Sequence, residues 1–253
     1  MMLSFKIFSH ISGKSVTIVT LFPEMCENIL NESIIGRARA RGYLQVCCHQ
    51  LRDHGEGVHK RVDDCTFGGG KGMLLMAQPI AKAFDEIIEQ TAVRPHIVYM
   101  SPRGRVLDQE KVKELAKNEN IIVLCGHYEG VDERVLEEYD VEEISIGDFV
   151  LTGGELPAVI LTDAVARMLP GVLSEDVCFE EESHYDGLLE YPQYTRPSAW
   201  RGREVPQVLL NGHHENIKKW RREQSLKVTQ KARPDLFEKA ELTAEEKRAF
   251  GRK

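Results

Sequence analysis

Three glycine-bearing segments carry the chemistry of this chain: Tyr99-Met100-Ser101-Pro102-Arg103-Gly104, Cys125-Gly126-His127-Tyr128-Glu129-Gly130 and Ile146-Gly147-Asp148-Phe149-Val150-Leu151-Thr152-Gly153-Gly154. Each follows a short apolar, β-branched run. Glycine lets backbone amides and carbonyls approach a ligand closely, which suits hydrogen bonding to a flat group such as adenine. In open α/β sheets, ligands bind outside the carboxyl ends of strands. Three such loops after successive strands therefore point to one pocket. No G-x-G-x-x-G occurs, which argues against the usual dinucleotide cradle.

A fourth glycine cluster, Phe67-Gly68-Gly69-Gly70-Lys71-Gly72, invites comparison with a P-loop. The match fails twice. Cys65 stands where the first glycine belongs, and Gly72 rather than Ser or Thr follows Lys71. A close backbone approach and a simple connection remain equally open, and Asp63-Asp64 upstream would suit a polar contact. Further on, Asp163 and Arg167 stand four residues apart and share a helix face. An exposed pair there is worth a few tenths of a kcal/mol. An arginine on an otherwise apolar helix beside a pocket can instead grip a carbonyl oxygen or phosphate. Glu180, Glu181, Glu182 and Asp186 form an acidic run, most of which reads as solvated.

The elements that must position these groups alternate. Strands are predicted at 16–22, 43–51, 96–100, 121–125 and 141–146, from apolar or β-branched runs bounded by turn residues. Helices are predicted at 76–89, at 108–118 and from about Glu155 to Leu169, where Pro157 near the start and Pro170-Gly171 at the end are apt punctuation. Such alternation predicts an α/β fold with a mostly parallel sheet. Residues 174–186 read as a flexible linker, and the chain beyond looks helical and basic, from about Glu215 to Lys231 and after Thr243.

The net charge of −7 is unevenly spread. From Gly187 onward there are 15 Lys+Arg against 9 Asp+Glu, whereas the first 186 residues hold 18 against 31. An acidic body with a basic nucleic-acid arm and a set of solvated helix faces fit this equally. Within the arm, Lys218, Lys219, Arg221 and Arg222 are densest, and Trp220 among them suits either base stacking or packing. Six cysteines without a C-x-x-C pair read as buried free thiols in a reducing compartment, with no zinc site. No apolar run approaches a membrane span, and residues 1–15 make a poor signal peptide. The expectation is a cytoplasmic protein with a short N-terminal extension.

The loops also carry a family resemblance. LFPEM (21–25), VDDCTFGGGKGM (62–73), YMSPRGRVLDQ (99–109), CGHYEGVDER (125–134), SIGDFVLTGGELPAVILTDAVARMLPGVL (145–173), GLLEYPQYTRP (187–197) and GHHENIKKWRREQSL (212–226) resemble, in order, the TrmD family of tRNA (guanine-N1-)-methyltransferases. The resemblance implies a SPOUT-type mostly parallel sheet with a deep trefoil knot over 16–173, then a linker and a small helical tRNA-binding domain over 187–253. It implies a homodimer whose active site lies at the subunit interface, S-adenosyl-L-methionine as methyl donor, tRNA as substrate, and a hint of Mg2+. By position the implied cofactor contacts are Tyr99, Ser101, Pro102, Gly104, Gly126, Tyr128, Gly130, Ile146, Gly147, Phe149, Leu151, Gly153 and Gly154. The implied catalytic residues are Arg167 and Glu182, with Glu129 assisting; Asp64 and Arg196 join the basic group as RNA contacts.

Three positions depart from the family pattern. Glu182 precedes Ser183-His184 where Asp before Ser-Phe is usual, His127 replaces an arginine, and Lys71 stands where proline is common. The implied reaction needs a base to take the guanine ring proton and a cation for the charge that spreads onto its carbonyl oxygen. Glu182 and Arg167 are typed for those tasks. Rival readings are methylation at another RNA position, a non-enzymatic RNA-binding protein with a vestigial pocket, and, weakest, a nucleotide hydrolase.

Overall fold

The computed structural model describes residues 14–69, 72–173, 183–184 and 187–251. Residues 174–182 and 185–186 of the 174–186 linker, Glu182 and Asp186 among them, Lys71 and the extension before Lys14 lie outside the described residues. The chain divides into two compact units, one up to Glu175 and one from Asp176 onward.

The first unit is built on five strands with helices between them. Strand β1 (Lys14–Thr20) is followed by helices α1 (Pro23–Leu30) and α2 (Ser33–Ala40), then by β2 (Leu44–Gln50). A short 3-10 turn (Leu51–His54) leads to a hairpin of β3 (Asp63–Cys65) and β4 (Met73–Leu75), and on to α3 (Ala77–Glu89). Then come β5 (His96–Val106), α4 (Gln109–Leu115), β6 (Asn120–Cys125), α5 (Glu133–Glu138), β7 (Glu142–Ser145) and α6 (Glu155–Ala166). The sheet order is β2-β1-β6-β5-β7, and all four ladders are parallel.

Parallel sheets covered on both faces need strands that are apolar on both sides. Strand β6 shows this. Ile121, Val123 and Cys125 pack with α1, α2, α4 and α6 in one cluster. Ile122 and Leu124 pack on the other face with Ile80, Ala83, Phe84 and Ile87 of α3 and Val135 and Leu136 of α5. The alternation is the two-residue period of a strand, and the shared parallel direction of the strands brings their carboxyl-end loops to one edge of the sheet.

Two local features differ from the sequence reading. The third predicted strand does not stop at Met100. It runs through an irregularity to Val106, with Met100 and Arg105 both opposite Ile144. A bulge lets a strand re-aim side chains without leaving the ladder, and here it carries Ser101 and Pro102. Helix α6 ends at Ala166, with Arg167 as its C-cap. Helices α1, α2 and α5 were not predicted, because at six to eight residues each is short beside the period used to find helices.

The free thiols also sort differently from expectation. Cys26 and Cys125 are buried, Cys47 and Cys48 are half-buried and Cys65 is exposed. Cys65 ends β3 of the two-stranded β3–β4 hairpin, a strand none of whose residues is buried.

The second unit holds a small hairpin of β8 (Ala199–Trp200) and β9 (Arg203–Glu204), then α7 (Gln207–Leu210), α8 (His214–Ala232), α9 (Pro234–Lys239) and α10 (Ala244–Ala249). Its core is small: Leu188, Leu226 and Phe237, flanked by Ala240, Leu242 and Phe250. A full capping box at Thr243 and Glu246 starts α10.

Candidate active site in the first unit

The loops after β5, β6 and β7 converge on one cleft of about 220 Å³. Of the thirteen implied cofactor contacts, Tyr99, Ser101, Pro102, Gly126, Tyr128, Gly130, Ile146, Phe149, Leu151, Gly153 and Gly154 line it. Gly104 and Gly147 do not. A Cβ on Gly104 would stand 2.3 Å from the carbonyl carbon of Glu143, so this glycine lets β5 close on β7. Gly147, at φ +147°, lies under the Phe149 ring. Glu129 and His127, the latter a departure from the family pattern, are in the lining, as are Met100, Ile144, Ser145, Val150, Thr152 and Pro157, which the sequence reading did not single out. Their signal was adjacency alone, since they lie in or beside the same loops.

Close backbone approach explains the glycines. The Gly154 amide donates to the Gly126 carbonyl at 2.9 Å, and a Cβ on Gly154 would meet the Cys125 Cα at 2.7 Å. A Cβ on Gly126 would meet the Tyr99 ring and hydroxyl at 2.7 Å. Tyr99 is itself buried, and desolvation, helped by Glu143, pushes its hydroxyl up to about 12. It therefore remains a protonated donor throughout the neutral range. The cleft rim is apolar and open: Phe149 is 54% exposed, Val150 79% and Leu151 40%. Exposed apolar residues at a cleft mouth suit an apolar ligand surface.

Beneath the cleft lies an acid that the sequence reading missed. Glu155 opens α6 and is buried; its Oε1 accepts from the Thr20 hydroxyl at 2.7 Å, and that hydroxyl accepts from the Phe22 amide at 2.9 Å. A carboxylate in the first turn of a helix is favoured by the helix dipole. The arrangement ties the end of β1 to the first turn of α6. A Cβ on Gly153 would stand 2.4 Å from the Glu155 carboxylate.

The glycine cluster at 67–72 resolves in favour of close approach at one position. Gly72, at φ +98°, packs against the Glu129 side chain, and the Glu129 amide donates to the Met73 carbonyl at 3.0 Å. Gly68 and Gly69 also take positive φ but face open space. Asp64 lies on β3, exposed, 3.4 Å from Arg61. Arg167 is half-buried at the end of α6, outside the cleft lining.

In the second unit the dense basic group splits. Lys218 and Lys219 are exposed. Arg222 bonds the Glu246 carboxylate at 3.0 Å and the Glu241 carbonyl at 2.9 Å. The Arg221 guanidinium lies 4.8 Å over the Tyr191 ring. Trp220 is half-buried, its ring 6.4 Å from Tyr194, so packing takes at least part of it. Arg196 is exposed and precedes a cis Pro197.

A parallel α/β sheet with glycine loops closing one cleft at its carboxyl edge defines a ligand-binding α/β protein. The family model described as tRNA (Guanine-1)-methyltransferase TrmD matches residues 14–239, and the chain belongs to that family. Among curated relatives, the tRNA (guanine-N(1)-)-methyltransferase of Ruminiclostridium cellulolyticum is 56% identical, covering 88% of this chain and 95% of its own. That of Alkaliphilus oremlandii is 51% identical over 90% and 94%, and that of Clostridium perfringens 49% over 91% and 96%.

Proposed function

We propose that this chain transfers a methyl group from S-adenosyl-L-methionine to N1 of the guanine immediately 3′ of the anticodon in tRNA. The observation that carries the reading is the convergence of three glycine loops on one cleft in a member of this family. The cleft suits the donor: Gly126 and Gly154 leave backbone where any side chain would collide, and Ile146, Phe149 and Leu151 offer an apolar surface. When bound, the donor supplies an electrophilic sulfonium methyl. Tight backbone crossings at Gly104 against Glu143 and Gly154 against Cys125 support threading of these loops as a deep trefoil knot.

The chain's own residues do the rest. Glu182 takes the N1 proton as the methyl arrives, which frees the ring lone pair. Arg167 stabilises the negative charge that spreads to the guanine carbonyl oxygen. Glu129, held by Gly72 and Met73, helps position the target. The base is splayed from the anticodon loop to reach them. Lys218, Lys219 and Arg196 contact phosphates, with Asp64 on the β3–β4 hairpin as a further RNA contact. Among the described residues Glu129 is the single carboxylate in the lining, and it is the side chain there that could bind Mg2+ directly.

A homodimer completes the site, with Glu182 and the second unit coming from the partner. Exposed apolar residues support it: Phe22, Met25 and Ile29 at and along α1, and Leu156 and Ile160 on one face of α6, each 42–48% exposed. No helix among the described residues is long and apolar enough to cross a membrane, and the reading places the enzyme with its tRNA in the cytoplasm. The test is methyl transfer from labelled donor to an unmodified tRNA transcript, with the product nucleotide mapped by mass spectrometry, with and without a guanine 5′ to the target. Methyl at another position would shift the target; no transfer together with no donor binding would leave an RNA-binding protein.

A further inference from the structure

A second cluster of ligating side chains lies away from the cleft lining. His49 near the end of β2, His54 in the 3-10 turn and Glu86 on α3 each offer one donor atom, and the three atoms lie within 4.8 Å of one another. The His49 and His54 Nε2 atoms are 2.6 Å apart. The ring centroids are 4.9 Å apart and the planes 20° from parallel, which places the two nitrogens head-on. Two lone pairs cannot face each other at that distance, nor can two N–H protons. At that distance a single shared proton bridges the pair, and a metal ion takes that proton's place only when the nitrogens part. The Glu86 carboxylate, 3.7 Å from His54 Nε2, adds an anionic third donor.

We propose that His49, His54 and Glu86 bind a borderline divalent cation of the Zn2+ type. Two imidazoles and one carboxylate match that class rather than Mg2+ or Ca2+, which prefer all-oxygen shells. Zn–N and Zn–O distances are about 2.0–2.2 Å, so tetrahedral donors lie about 3.4 Å apart. The His54–Glu86 span is already close to this. The two nitrogens must part by under about 1 Å and tilt, a movement within reach of half-buried side chains. Water would fill the fourth position.

The site has a structural logic. The 3-10 turn and α3 bracket the β3–β4 hairpin, and that hairpin reaches the cleft loops. The Leu75 amide donates to the Gly130 carbonyl, and the Glu129 amide to the Met73 carbonyl, each at 3.0 Å. An ion joining β2, the turn and α3 clasps both ends of this segment. The proposal does not depend on the methyl-transfer reading.

The test uses chelator-treated, tag-free full-length protein titrated with Zn2+ by calorimetry, and with Co2+ by visible absorption. One ion per chain and a tetrahedral Co2+ spectrum without thiolate charge transfer are expected. His49→Gln and His54→Gln should each weaken binding at least about 100-fold, because even loss of a partner behind a ligand costs about 10–100-fold. Glu86→Gln should weaken it less. Absence of saturable binding, unchanged affinity in both histidine variants, or a thiolate charge-transfer band would overturn the proposal. The cobalt spectrum of the unaltered protein decides the matter even where a variant fails to fold.

Discussion

The cleft of the first unit and the basic helix of the second solve recognition in opposite ways. The cleft is made of backbone. At Gly126 and Gly154 a single added carbon would stand 2.7 Å from fixed neighbours, so residue identity matters position by position. On α8 the free charge is carried by exposed lysines, and neighbouring Arg221 and Arg222 are held by contacts within their own unit. There the sum of charge matters more than any one residue. Packed interiors punish a methyl group, whereas solvent screens one charge among many.

That contrast breaks or sharpens under substitution. The largest expected effect is Glu182→Gln, which should slow single-turnover methylation by about 10²–10⁴-fold with donor affinity kept. A near-normal rate would remove Glu182 as the base. Arg167→Ala should cost about 10²–10³-fold in the same assay, and retained turnover would discard its role. Gly154→Ala should destabilise the first unit by about 1–3 kcal/mol and weaken donor binding, because the Cβ meets backbone that cannot move aside. Thermal unfolding and donor calorimetry read both effects, and a silent variant would refute the backbone account of the cleft. Lys218→Ala with Lys219→Ala should lower the salt slope of tRNA binding by about one unit for each phosphate no longer neutralised, while donor affinity stays unchanged. Smallest is Arg222→Ala, which should cost no more than about 1 kcal/mol of stability as a part-exposed ion pair. If it instead changed the salt slope as the lysines do, the division drawn within α8 would be wrong.

Strand positions in the first unit were legible because both-face burial writes continuous apolar runs such as Ile121–Cys125. The glycine loops were legible because their residue types are costly elsewhere. The bulge that continues β5 past Met100 was not, since it depends on register against Ile144. Nor was Glu155. A carboxylate in an apolar helix reads as ordinary until the Thr20 hydroxyl, 135 positions earlier in the chain, is seen to meet it.

Composition and order of residues by themselves determined the alternating α/β plan, the family, and which loops carry glycine. Those properties are local, written in periods of two and 3.6 residues and in short motifs. Only the tertiary structure decided that Gly72 rests on Glu129, that Arg222 is engaged with Glu246 while Lys218 is exposed, and that His49 and His54 face Glu86. Each of these is a meeting of side chains from separate elements. Such meetings follow from how layers pack, which no local pattern encodes.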